Sequence, residues 1–135
     1  MSMLHFNYKM IHSHSLMRPV FDIWLLGSNG RTQVEVVLDS GADYSIFPVE
    51  KAEVAGIPLP LSPNFRIQYG GACSFGRKAT VFIELSSNTR LETDVFFVKQ
   101  LPFPHALLGR YGVFNQFNEI AFLEKQKTPR MELRR

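Results

Sequence analysis

The chain carries a single cysteine, Cys73, in 135 residues. One thiol excludes an internal disulfide and a cysteine-built metal site, and it suits a reducing, cytoplasmic setting. Long apolar runs are missing too. No stretch approaches the ~20 residues of a spanning helix, and no basic segment followed by an apolar run marks a leader at the N-terminus, so no membrane contact is expected. Charged residues make up only 20% of the chain, which argues against long disordered tracts away from the ends. Heptads and longer repeats are absent, which sets aside coiled coils and solenoids. The formal charge of +3 owes most to a late cluster of Lys125, Lys127, Arg130, Arg134 and Arg135. These residues are not interleaved with aromatics on one strand. The cluster therefore reads as a solvated basic segment, and no nucleic-acid partner is expected.

What the chain has is core material. Hydrophobic residues make up 45%, with twelve Phe among them, enough for one domain of this length. Short strand-like runs alternate with turn signals. Arg18 to Leu26, the turn Gly27-Ser28-Asn29-Gly30 and Thr32 to Leu38 form a hairpin. Val49 to Gly56 reads as one or two helical turns closed by glycine. Three prolines in Ile57 to Pro63 make an extended connection. Phe65–Tyr69 and Arg77–Leu85 are the arms of a second hairpin around a glycine-rich tip, Gly70 to Gly76. Leu91 to Val98 is another strand. A further apolar run ends at Gly109, Arg110 to Phe117 suits a short helix, and Ile120–Leu123 with Met131–Leu133 suggests a last hairpin. This pattern predicts an all-β barrel or sandwich with one or two short helices. Residues 1–17 read as an N-terminal arm or first strand, 18–124 as the domain, and 125–135 as a basic C-terminal strand or tail. His12 and His14 share a face in an extended strand. No third ligand lies nearby, so they read as a loop pair, and neither metal nor cofactor is expected.

The most informative stretch is Val36-Val37-Leu38-Asp39-Ser40-Gly41-Ala42-Asp43. A β-branched apolar run delivers one carboxylate to the end of a buried strand, and small residues after it let backbone approach closely. A carboxylate there has lost water and needs compensation. An echo follows some seventy residues on, where Leu107-Leu108-Gly109-Arg110 again runs from apolar residues into a small-residue turn. The glycine-rich tip lies between the two. It is not a phosphate loop, because no strand-to-helix transition and no Gly-Lys-Ser/Thr follow. A mobile lid and a plain hairpin turn both remain open.

Together these elements resemble the retropepsin-like aspartic proteases, the single-domain family that includes the retroviral proteases. The match runs through Leu38-Asp39-Ser40-Gly41-Ala42-Asp43, the glycine-rich hairpin at Gly70 to Gly76 and Leu107-Leu108-Gly109-Arg110, in that order, across residues 18–117. Ser40 stands where threonine is commoner, Tyr111 where Asp or Asn often follows the arginine, and Cys73 at the hairpin tip. The resemblance implies a small closed acid-protease-type barrel with a flap hairpin. It also implies an aspartic endopeptidase acting on peptide or protein substrates.

Such chemistry needs two carboxylates sharing a proton. The chain supplies one suitable acid, so a homodimer with two copies of Asp39 at the axis is implied. In that reading Asp39 is the catalytic acid/base, Ser40 fixes the turn across the dimer and Gly41 leaves room for substrate. Ala42 and Asp43 bind the peptide, with Asp43 accepting its amides or forming a partly buried pair with Arg110. Gly70, Gly71, Ala72, Cys73 and Ser74 form the flap, while Gly109 and Arg110 support the turn. Ile46, Phe47 and Val113 are pocket walls, which implies apolar side chains beside the scissile bond. Cys73 itself reads as a small tip residue rather than a redox thiol. The rival reading is a catalytically silent peptide-binding or oligomerisation module on the same fold.

Overall fold

The computed structural model describes residues 3–11, 16–69, 72–101 and 105–135. Three short strands come first: β1 (Met3–Asn7), β2 (Lys9–Ile11) and β3 (Leu16–Arg18). The expected hairpin follows as β4 (Val20–Gly27) and β5 (Gly30–Leu38), paired antiparallel from Val20↔Val37 to Gly27↔Gly30. Next come β6 (Ser45–Pro48), helix α1 (Val49–Ala55), the hairpin of β7 (Phe65–Tyr69) and β8 (Ala72–Ser86), and β9 (Thr89–Val98). The chain ends with β10 (Ala106–Leu108), β11 (Glu119–Leu123) and β12 (Arg130–Arg134). Six strands form a ring in the order β4–β5–β10–β6–β9–β8, closed by β8 pairing back onto β4 at Leu25↔Ile83. Closure removes the unpaired edges that an open sheet would present. Two joints of the ring are parallel, β5–β10 and β6–β9. Outside it, β7 hangs on β8, β2 pairs with β3, and β1–β12–β11 make a three-stranded sheet. The fold is all-β, as the turn spacing predicts.

Alternation decides which residues fill the barrel. On β5, Val34, Val36 and Leu38 point into the core, and Glu35 and Val37 point out. Where the sequence is continuously apolar, both faces are covered. Val95 and Phe97 join the barrel core, and Phe96 and Val98 join a second cluster with Ile46, Ile67 and Leu107. β10 divides in the same way, with Ala106 and Leu108 inward and Leu107 outward. The unbroken apolar runs thus mark the strands that carry the β7–β8 hairpin on their outer side.

α1 begins after Pro48 with Glu50 in its first turn, where a carboxylate suits the helix dipole. It ends at Gly56 in the left-handed region (φ 77°). The β4–β5 turn seals its free carbonyls: Asn29 N–H donates to Ala55 O at 2.9 Å, and Ser28 Oγ donates to Gly56 O at 2.7 Å. A β-carbon on Gly27 would overlap the Ala55 carbonyl, so glycine sets this contact.

Several boundaries differ from the sequence reading. Arg18 belongs to β3, and Pro19 separates it from β4. Strand pairing continues to Tyr69↔Ala72, so Ala72 to Gly76 lie on β8 rather than in a long tip. The expected helix at Arg110 to Phe117 shrinks to a 3₁₀ turn, Phe114–Gln116, because Gly112 takes φ 93° and breaks the run. Of the strand and the tail that the sequence allows for residues 125–135, the structure takes the strand for Arg130–Arg134. Arg130 and Arg134 lie on β12, whose Met131 and Leu133 are fully buried in the barrel core. His12 and His14 lie outside the described residues.

Leu133→Ala therefore removes a fully buried side chain and should cost about 2–5 kcal/mol in chemical denaturation. Lys127→Ala, on an exposed turn, should stay within about 0.5 kcal/mol of the parent.

Candidate active site

Asp39 leaves the end of β5 beside β10. The parallel register Ala106↔Val36, Leu107↔Val37 and Leu108↔Leu38 continues into the turn, where Asp39 N–H donates to Leu108 O at 3.0 Å. Leu38 N–H donates to Pro19 O at 3.0 Å, which ties the foot of the β2–β3 hairpin to the residue before the acid. The turn also holds the side chain. Gly41 N–H donates to Asp39 Oδ1 at 2.8 Å and Ala42 N–H to Asp39 O at 3.2 Å. A β-carbon at Gly41 would stand 3.2 Å from Oδ1, so a larger residue would crowd the carboxylate. Asp39 is half-buried, and Ser40 and Gly41 are exposed.

The second run clasps this turn through main chain. Arg110 N–H donates to Ala42 O at 2.9 Å and Tyr111 N–H to Asp43 O at 2.8 Å. Gly109 packs flat on Tyr44, whose backbone atoms a β-carbon would overlap. Gly109 N–H donates to the fully buried Ser45 Oγ at 3.1 Å. Ser45 escaped the sequence reading; a lone hydroxyl at the start of the buried apolar run Ile46-Phe47 is the signal that could have found it. The expected Asp43–Arg110 ion pair is not formed. Both side chains are exposed, no salt bridge joins them among the described residues, and the joint is made by their backbones instead.

A cleft of ≈ 1040 Å³ opens over Asp39. Val37, Ile46 and Leu107 line it beside the Asp39–Tyr44 loop, and Phe65 to Gln68 of β7 line the opposite wall. Tyr44, Phe65 and Phe96 form an aromatic knot, with ring centroids 4.3–5.2 Å apart, that fastens the root of the β7–β8 hairpin to the loop after Asp39. Of the pocket walls read from sequence, Ile46 lines the cleft. Phe47 and Val113 are fully buried in the barrel core, because alternation along β6 turns Phe47 inward. Of the flap residues, Gly70 and Gly71 lie outside the described residues. Ala72, Cys73 and Ser74 lie on β8 opposite Tyr69, Gln68 and Ile67, on the arm away from the cleft lining. Exposed Cys73 accepts a hydrogen bond from Arg66 Nε at 2.9 Å.

The cleft has polar lining that the sequence reading missed: Tyr8, Arg18, His105 and Glu124. Burial, and then the Glu124 carboxylate, push the Tyr8 phenol up from its ordinary pKa. Residues before Val20 and just before β10 gave no motif, and only pairing across the chain brings them here. Among the described residues no three His, Cys, Asp or Glu side chains converge as metal ligands would, and no helix is long and apolar enough to cross a membrane.

The sequence matches no protein-family model and no curated protein. Among solved structures the chain is similar to EIAV protease in complex with the inhibitor HBY-793. The TM-score is 0.53 at 21% identity, over 69% of this chain and 82% of that one. The likeness is one of fold, and it agrees with the all-β barrel described above.

The clasp makes two substitutions informative. Ser45→Ala leaves the buried Gly109 N–H unpaired and should cost about 1–3 kcal/mol. Gly109→Ala forces Tyr44 away and should cost at least as much. Urea denaturation of both variants, each compared with the parent, checks this.

Proposed function

We propose that the chain is an aspartic endopeptidase of the retropepsin type, working as a C2 homodimer. The observation that carries this is the presentation of Asp39. Its carboxylate stands at the end of a parallel strand pair, held by Gly41 N–H at 2.8 Å, in the loop that lines the cleft. The likeness in fold to EIAV protease supports the same reading.

One Asp39 is half of the required machinery. Two copies across a twofold axis bring like charges to about 3 Å, where the pair holds one proton. The ionised carboxylate takes a proton from a water, and the protonated one donates to the scissile carbonyl oxygen as the water attacks. Gly41 hydrogen-bonds the carboxylate and keeps the approach clear, and the exposed Ser40 hydroxyl can bond backbone of the second copy. Ala42 and Asp43 meet the peptide, and Asp43, free of Arg110, is available to its amides. Gly109 and Arg110 hold the turn from behind. The β7–β8 hairpin, with Cys73 and Ser74 on its second arm, closes over an extended peptide and excludes water. That peptide adds as a strand between hairpin and floor, with apolar side chains on Val37, Ile46 and Leu107.

Asp39→Asn should lower kcat on a casein or peptide-library substrate by at least about 10³-fold with an unchanged far-UV spectrum. Equal cleavage by the variant overturns the reading, and peptide binding without cleavage by the parent identifies the silent module instead. Because one proton must be shared, the parent's kcat/KM should fall on both sides of a pH optimum, with both acids protonated below it and both ionised above it. Specific activity should also drop on dilution as the dimer dissociates.

A further inference from the structure

The β2–β3 hairpin makes a sheet of its own, and neither strand pairs with another among the described residues. Two strands alone are marginally stable in water at best. The root of this hairpin is held on the strand that delivers Asp39 and on that strand's neighbour. Pro19 O accepts Leu38 N–H at 3.0 Å, and Lys9 Nζ lies 3.1 Å from Glu35 Oε2 on β5 and 2.8 Å from Asp22 Oδ2 on β4. Lys9 therefore faces the barrel. Alternation turns the next residue to the other side, where Met10 stands opposite Met17, 46% and 38% exposed. Directly opposite residues share a face, so the two thioethers form one uncovered apolar patch. None of the other exposed apolar residues on described strands faces a second one. Met3 stands opposite Arg134, Phe75 opposite Arg66, and Phe82 between Glu92 and half-buried Leu26.

We propose that this methionine face is a contact between two copies of the chain, beside the twofold that joins the Asp39 carboxylates. The proposal rests on the homodimer reading above. A stable dimer buries about 800 Å² on each copy. Asp39, Ser40 and Gly41 offer a carboxylate, a hydroxyl and bare backbone, which is far less, so the interface extends onto whatever flanks the turn. Position selects the hairpin. Leu38 bonds Pro19 and is next in the chain to Asp39, with consecutive Cα atoms about 3.8 Å apart. Arg18, Pro19 and Val20 line the cleft that holds the acid. A second copy whose carboxylate comes to about 3 Å from the first thus arrives beside the hairpin root. A twofold contact uses the same patch on both copies, which gives each dimer four methionines. Their unbranched, polarisable chains adapt to such a self-contact. Because β5 carries both the acid and two of the root's anchors, docking the hairpin also fixes the acid-bearing strand relative to the axis.

Sedimentation velocity over a concentration series tests this. Replacing the pair by polar near-isosteres, Met10→Gln with Met17→Gln, should raise the dimer Kd about tenfold or more, while Met10→Leu with Met17→Leu should stay within about threefold of the parent. Val54→Gln, equally exposed on α1 but outside the cleft lining, should leave the Kd unchanged. Cleavage separates a contact between copies from one with substrate: the Gln pair should lose activity on dilution and regain the parental kcat and KM when concentrated. A substitution-free readout is peroxide oxidation of Met10 and Met17, which should slow once the parent is concentrated past its Kd. A Kd unchanged by the Gln pair, an oxidation rate indifferent to concentration, or a parent that stays monomeric throughout overturns the contact. If the parent dimerises and cleaves nothing, the endopeptidase reading fails by itself, and the Kd series still decides the hairpin.

Discussion

Two stretches of main chain meet behind Asp39 more closely than side chains would permit. Gly109 lies flat against Tyr44, Ser45 supplies its hydroxyl to the Gly109 amide, and the carbonyls of Ala42 and Asp43 take the next two amides. This contact fixes the angle at which the Asp39 turn leaves the barrel. It also sets the parallel pairing of β5 and β10, since neither strand has another neighbour on that side. The aromatic knot at Tyr44 extends the constraint outward, so the β7–β8 hairpin is anchored to the loop that carries the acid. Cleft, floor and hairpin root therefore share one reference point.

Much of this is legible in the sequence, for a local reason. Asp39, Gly41 and Gly109 stand out because their surroundings are apolar and small, and the strands show because alternation is written residue by residue. The unbroken run at Val95–Val98 looks like a buried strand and is one, but sequence does not say that its two faces belong to different clusters. Phe47 was misassigned to the cleft for that reason: one step in register separates it from Ile46, which does line it. The sequence leaves Asp43 two roles and does not choose between them, because complementary charges near one another in a motif do not fix side-chain directions when backbone makes the joint. Tyr8 and His105 were invisible. Each is unremarkable in its own segment, and their partners, Glu124 for Tyr8 and Glu35 for His105, lie far away in sequence.

The cleft is chemically lopsided as a result. One wall is aromatic and aliphatic, from Tyr44, Phe65 and Ile67. The other is drawn from the N-terminal segment and the approach to β10, with Tyr8, Arg18 and His105; outside the lining, His105 is tied to a charge network of Glu35, Lys9 and Asp22. Lys9 and Glu35 are substantially exposed, so the network sets direction more than it adds stability. What it orients is the imidazole edge of the cleft and the foot of the β2–β3 hairpin.

The three-stranded sheet at the chain ends imposes an order on folding. β12 lies between β1 and β11, with Met3 opposite Arg134, and its Met131 and Leu133 complete the barrel core. The β12–β1 contacts close a loop of nearly the whole described chain, among the slowest kind to form. Hairpins such as β4–β5 and β8–β9 can assemble early, yet the core stays unsealed until the last strand arrives. During synthesis the inner faces of β1 and β11 wait for it with Leu4, Phe6, Ile120 and Phe122 uncovered, and that interval is when this chain is most exposed to association with other unfinished copies.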